Sequence, residues 1–231
     1  LKKIRFHIFF IIGVFALFGL IGFFIQVPEE ISKAILEYIQ ELLKMTRNMS
    51  FFELGGFIFL NNFFSSFFSL IFGVLFGIVP LVSAIANGYL VGFVSSLSVQ
   101  EQGVSSLLAL VPHGIFELPA VFISLGLGLG MGLKFIERKL KINSLLVRYL
   151  VLCLFTLVLP VIFVFFLSSF SNIIFQNILS VVFIILIFII FKKDKKLLGY
   201  LKESMRVFLF VVLPLLIIAA IIETILIFLG S

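Results

Sequence analysis

The chain has 231 residues, 62% of them hydrophobic and only 12% charged, with a mean hydropathy of +1.34. A soluble domain is about 45–50% apolar and about 25% charged, so a cytosolic enzyme, a disordered tail and a secreted disulfide scaffold are excluded and a polytopic membrane protein is expected. The 17 basic against 11 acidic residues give a net charge of +6, but the positives lie in short loops, where they report topology rather than nucleic acid.

A hydrocarbon core about 30 Å thick takes roughly 20 apolar residues per helix. On that measure the sequence predicts an all-α, single-domain transmembrane bundle (1–231) of about seven spans. The first, 6–26, is too long for the apolar core of a signal sequence, and Gln26-Val27-Pro28-Glu29 is a poor cleavage site, so the span reads as retained. The largest extramembrane piece is 28–50. There Ile31, Ile35, Tyr38, Leu42 and Met45 recur at steps of four and three, one face of a helix. Pro28 suits the first turn, and Glu29 and Glu30 complement its positive end. The segment is expected to be an external amphipathic helix lying on the bilayer or on the bundle, with a plain helical connector as the alternative.

Spans 57–79 and 81–97 come next. The latter is short, about 25 Å at about 1.5 Å per residue, so this hairpin either crosses the bilayer or re-enters it. Helices in lipid associate where small residues let backbones approach. Asn61, Ser65, Ser69, Gly73 and Gly77 run down one span at four-residue spacing, and Ala84, Gly88, Gly92 and Ser96 down the other. With Ile78, Val79 and Pro80 near the turn, the two are expected to pack face to face. Span 107–133 is long, contains Pro112 and Pro119, and ends in Gly126, Gly128, Gly130 and Gly132, which mark either packing or a flexible end. Spans 145–167, 172–191 and 207–229 complete the set. Cys153, the sole cysteine, cannot form an intrachain disulfide.

Basic residues set the sidedness. Lys2, Lys3 and Arg5, then Lys134, Arg138, Lys139, Lys141 and Arg148, then Lys192, Lys193, Lys195, Lys196, Lys202 and Arg206 all fall on one side of seven spans. Lys33, Lys44 and Arg47 fall on the other. The expectation is a multi-pass cell-membrane protein with its N-terminus in the cytoplasm and its C-terminus outside.

Ionisable groups in hydrocarbon cost roughly 2.5–3.5 kcal/mol each on insertion scales, so they face protein or water and usually have a task. Here His113 and Glu117 stand four apart on one helical face, and Glu223 lies in the last span. Asn61, Asn62 and Asn87 add amides. By depth, His113, Glu117, Glu223 and Asn61 or Asn62 are expected to cluster in the external half, with Asn87 nearer the cytoplasmic half. Pro112 and Pro119 would free carbonyls as further partners. Three readings stay open: an interhelical hydrogen-bond clasp, a cation or proton site, and a structural metal held by His113, Glu117 and Glu223. A zinc hydrolase needs about three protein ligands and a base. His113-xxx-Glu117 supplies two, and His7 is far off at the cytoplasmic edge, so no enzyme and no cofactor beyond that metal is expected. Glu53 and His7 are expected to be interfacial and solvated.

The run Val111-Pro112-His113-Gly114-Ile115-Phe116-Glu117-Leu118-Pro119-Ala120 resembles the signature of the stage II sporulation protein M family, integral membrane proteins of spore-forming bacteria and archaea. Phe59-Leu60-Asn61-Asn62, Ala86-Asn87-Gly88-Tyr89-Leu90-Val91-Gly92 and Leu216-Ile217-Ile218-Ala219-Ala220-Ile221-Ile222-Glu223 agree in order and spacing. The resemblance covers roughly 1–135 and 206–229 and leaves 143–191 as an extra hairpin. It implies the bundle fold and a polar motif at Asn61, Asn62, Asn87, His113, Glu117 and Glu223. The bacterial family member is implicated in engulfment, as a scaffold working with peptidoglycan-remodelling partners. The Phe-, Ile- and Lys-rich composition here is archaeal-like, so that specific role does not carry over. What the resemblance implies is a non-enzymatic membrane scaffold or remodelling component. Its expected partners are the lipid bilayer, membrane or envelope proteins and further copies of itself, with no nucleic acid. The rival expectation is a small transporter, channel or lipid-translocating protein whose polar site takes a cation, a proton or a lipid headgroup.

Overall fold

A computed structural model of the chain describes residues 2–25, 29–154, 156, 192 and 194–230, and only the backbone of 2, 3, 109–113 and 230. The described residues form helices α1 (Lys2–Phe24), α2 (Glu29–Thr46), α3 (Phe51–Phe72), α4 (Ile78–Gln102) and α5 (Val111–Lys139). They continue with a shorter apolar helix α6 (Leu145–Leu154), then α7 (Lys195–Val207) and α8 (Leu213–Gly230). Among them, five stretches are long and apolar enough to cross a membrane: Ile4–Phe24, Phe51–Phe72, Ile78–Gln102, Gly114–Lys139 and Lys195–Leu229. The expected spans 145–167 and 172–191 fall outside the described residues, apart from α6 and residue 156.

Local chemistry moves several boundaries from their expected places. α3 begins at Phe51 because the Ser50 amide and hydroxyl both donate to Glu53 Oε2, at 2.8 and 2.7 Å. This is half of a capping box, in which the third helical residue reaches back over the open N-terminus. Glu53 is exposed, as expected, and also starts a helix. At the other end α3 stops at Phe72, and the chain reverses through Phe76 (φ +56°) and Gly77 (φ +77°). Left-handed backbone costs an ordinary residue about 1–2 kcal/mol but costs glycine nothing. Phe76 is held there edge-on to Phe135, ring centroids 5.2 Å apart. Gly73 and Gly77 thus belong to the turn rather than to the span. The 25 residues of α4, about 37 Å at 1.5 Å per residue, replace the expected short span.

Two further differences follow from proline and aspartate. Val104–Leu110 is a 3-10 segment, so Pro112 falls in the first turn of α5, where its missing N–H would have had no partner. Only Pro119 lies inside the α5 ladder. The expected 192–206 loop contains helix α7, capped by Asp194, whose Oδ1 accepts from the Lys196 and Leu197 amides at 3.2 and 3.1 Å. Leu197, Tyr200 and Ser204 give it a buried face. A five-residue π turn, Phe208–Val212, joins α7 to α8. Pro214 cannot donate to the Phe210 carbonyl, and a wider register at this point accommodates the lost bond.

The fold comprises two compact units. One takes its described residues from Leu1–Ile11, Phe67–Ser83 and Ser124–Phe208. At its centre is the second half of α5, where Leu125, Leu127, Leu129, Met131, Leu133 and Ile136 are all buried. A helix apolar all round belongs in a core. The alternation of leucine and glycine reads as two interleaved G-x-x-x-G motifs on opposite sides of one helix. Gly126 meets Ile8 of α1, and Gly130 meets Tyr200 and His7. Gly128 meets Ser69 and Leu70 of α3, and Gly132 meets the Phe76–Gly77 turn. This segment is packing surface on both sides, which settles the alternative left open by the sequence.

The polar groups of this unit tie its helices together. His7, expected to be solvated, is buried, with Nδ1 2.8 Å from the Tyr149 hydroxyl. The Lys134 ammonium lies 3.9 Å from the Tyr200 ring centroid. Arg138 donates to Asp194 at 2.6 Å. Burial alone would raise the Asp194 carboxyl; the Leu197 amide, the Arg138 guanidinium and the Lys196 amide outweigh it and hold the group below its ordinary value. Arg148 pairs with Glu137 and donates to the carbonyls of Ile142 and Asn143 at 2.8 and 2.7 Å.

The other unit takes its described residues from Ile12–Ser66, Ala84–Ile123 and Leu209–Ser231. Here α1 and α4 approach at backbone distance. A Cβ on Gly88 would overlap the Phe15 carbonyl, one on Gly92 the Gly19 carbonyl, and one on Gly22 the Tyr89 carbonyl. Phe15 also meets Phe122 of α5 edge-on at 5.1 Å. α3 packs on α8 through Leu54, Ile58 and Ala220, with Phe51 edge-on to Phe228 at 5.5 Å. α2 carries no buried residue.

The expected face-to-face α3–α4 hairpin is therefore corrected. Ser69 does hydrogen-bond Ser83, at 3.2 Å, but Gly73 packs on Gly128 of α5, and Gly88 and Gly92 pack on α1. Ser65 is exposed while Ser69 is buried. The reason is helical drift: residues four apart advance by about 400°, so a stripe at that spacing winds about 40° around the helix per step. Its two ends cannot face one neighbour. Ala84 is fully buried, and Ser96 accepts from Gln100 at 3.3 Å.

Candidate intramembrane polar site

All six residues of the sequence motif, Asn61, Asn62, Asn87, His113, Glu117 and Glu223, belong to the second unit. They come from α3, α4, α5 and α8, so at least four helices contribute polar groups.

Their environments differ. Glu117 and Glu223 are each half-buried, and the Oε2 atom of each is shielded from solvent. Both carboxylates and the Asn87 amide are engaged by polar or electrostatic partners. Glu117 lies two residues before Pro119, where the helix ladder is interrupted. Glu223 lies between Ile222 and Thr224, and the Thr224 hydroxyl turns back to the Ala220 carbonyl at 2.7 Å. Shielding one oxygen of each carboxylate at these positions fits a protein-facing role, since a bare carboxylate in hydrocarbon is costly.

Asn61 and Asn62 stand apart from this pattern. Asn61 is exposed and Asn62 half-buried, and the Asn61 amide donates to Asn62 Oδ1 at 3.4 Å. Asn87 is exposed as well. The His113 backbone lies in the first turn of α5, and its side chain is outside the described residues. Among the described residues no group of three or more His, Cys, Asp or Glu side chains is placed to hold a metal ion. The structure therefore distinguishes two half-buried glutamates, each with a shielded oxygen, from two exposed amides, Asn61 and Asn87, a division the motif does not show.

Beside the site, α3 and α8 enclose a groove of about 330 Å³ lined by Phe51, Phe52, Gly55, Gly56, Phe59 and residues of α8 including Ile217 and Thr224. Gly55 keeps it narrow: a Cβ there would stand 3.1 Å from the Thr224 hydroxyl. Sequence reasoning missed this groove. The Gly55-Gly56 pair at the head of an otherwise bulky helix was the available signal.

It also missed the ties in the first unit, His7 with Tyr149, Lys134 with Tyr200, and Arg138 with Asp194. An aspartate immediately before an amphipathic run is a helix-start signal, and Asp194 could have been found that way. The His7–Tyr149 pairing, 142 residues apart in sequence, has no local signature.

No curated protein and no solved structure matches the chain. The family model described as "Stage II sporulation protein M" matches residues 8–226. That range takes in the segments quoted for the resemblance together with both glutamates, and the chain belongs to the stage II sporulation protein M family.

Proposed function

We propose that this chain is a non-enzymatic membrane scaffold or remodelling component, which assembles with membrane or envelope proteins and with further copies of itself. The observation that carries the reading is the way its helices are locked. Gly73 on Gly128, Gly132 on the Phe76–Gly77 turn, and Gly88 and Gly92 on α1 are contacts of backbone on backbone. Such crossings resist sliding, as suits a fixed platform, and family membership supports the same reading.

The positive-inside rule places the N-terminus in the cytoplasm and the C-terminus outside. The charge count supports this: the basic residues of the N-terminus and of the 134–148 and 192–206 segments fall on one side of seven spans, and Lys33, Lys44 and Arg47 on the other.

A second reading, a small transporter, channel or lipid-translocating protein, is favoured by one observation: two carboxylates from different helices have shielded oxygens in the same unit. The two readings separate on charge. Glu117→Gln and Glu223→Gln keep hydrogen bonding and remove charge. A scaffold carrying them captures the same membrane partners as wild type. Reconstitution into liposomes with ion-flux and lipid-scrambling assays is the deciding experiment. Movement of ions or lipids by the purified protein, lost in Glu117→Gln, would overturn the scaffold reading.

A further inference from the structure

The α2 helix combines three observations that point to a lipid partner. Its charged residues, Glu29, Glu30, Lys33, Glu37, Glu41 and Lys44, fall within an arc of about 120° when projected at about 100° per residue. The remaining arc is apolar apart from Ser32 and Thr46. Within it, Ile35, Ile39 and Leu42 form a half-buried central stripe opposite the charges. Ile31, Tyr38 and Met45 are exposed on one flank of that stripe, and Leu36 and Leu43 on the other.

A helix docked only on protein would hide its apolar stripe and offer polar flanks. Here the apolar surface extends past the contact on both sides, the pattern expected of a helix beside an apolar medium. The tethers agree. Only residues 25–28 join α2 to α1 and only 47–50 join it to α3, and both neighbours carry candidate membrane spans. At roughly 3.3–3.6 Å per residue, neither link lets α2 leave the membrane surface.

We propose that α2 is a monotopic helix set into the membrane–water interface, both apolar flanks in acyl chains and its acidic arc in water. Four glutamates against two lysines make the helix net negative. Its insertion is therefore driven by apolar burial, not by attraction to anionic headgroups. This claim is independent of the scaffold reading.

The chain contains no tryptophan, so one substitution creates a sole fluorescent reporter. Tyr38→Trp, Leu43→Trp and Met45→Trp sample the two flanks, and Glu41→Trp the charged arc. The full-length variants are reconstituted into phosphatidylcholine vesicles with and without acyl-chain bromination. The three flank reporters are expected to lose most of their emission in brominated bilayers, while the Glu41→Trp reporter keeps most of its own. Neither anionic lipid nor high salt should change the pattern. Flank reporters that escape quenching overturn the proposal. So does quenching that disappears as the protein-to-lipid ratio rises, which would assign the flanks to a second copy of the chain.

Discussion

Adding one methyl group to Gly73, the first residue past α3, tests the locking of the end of α3 onto α5. A Cβ at that position meets the carbonyl oxygen, carbonyl carbon and Cα of Gly128, roughly an ångström inside ordinary van der Waals contact. All three obstacles are backbone, so no side-chain rotation relieves the clash and the helices must part. Overpacking of this kind costs about 1–3 kcal/mol. With a rigid obstacle the expectation is the upper end, about 3 kcal/mol, or roughly a hundredfold in the unfolding equilibrium. The assay is denaturant unfolding of the purified full-length protein in mixed micelles. Gly56→Ala is the matched control: nothing lies within 4 Å of its added Cβ, and it should fall within about 0.5 kcal/mol of wild type. Gly73→Ala with Gly128→Ala should cost less than the sum of the two, because both report on one crossing. If Gly73→Ala unfolds at the same denaturant concentration as Gly56→Ala, the backbone-lock argument fails.

Other consequences follow from the polar ties. Asp194→Ala removes both the α7 cap and the partner of Arg138, and should destabilise α7 by about 1–3 kcal/mol, read as faster amide exchange over residues 195–204. Because the folded Asp194 carboxyl titrates below its ordinary value, its contribution is complete above pH about 4 and fades as pH falls through the lowered pKa. The exchange difference between wild type and Asp194→Ala should therefore shrink at low pH. Tyr149→Phe removes the hydroxyl bonded to His7 and should cost about 0.5–1.5 kcal/mol in the same unfolding assay. Glu53→Ala takes the acceptor from the Ser50 amide and should loosen the first turn of α3 by about 0.5–2 kcal/mol, with amide exchange of residues 51–54 as the measure.

Much of the architecture was legible because its signals are local. The spans of α1 and α8 follow from apolar length, and the amphipathic α2 from its spacing. The motif residues of the candidate site stood out because an ionisable group in oil is conspicuous. The missed features have different causes. The Ser50–Glu53 cap and the Asp194 cap are short signals overlooked beside long apolar runs. The glycine repeat of α5 reads as either packing or a flexible end because its period of two obscures two interleaved periods of four. The α3–α4 pairing was misassigned because spacing identifies which residues are small but not which neighbour fills the space they leave.

Apolar length and charge spacing, read along the chain alone, determined that the protein is helical, belongs in a membrane and carries a histidine and two glutamates within apolar runs. Those properties depend on residues within a few turns of each other and on the solvent they meet. Only the tertiary structure decided that Gly88 serves α1 rather than α3, that His7 is buried against Tyr149, and that Glu117 and Glu223 have shielded oxygens while Asn61 stays open. Each of these depends on which helix lies alongside, a matter of steric fit between segments distant in sequence.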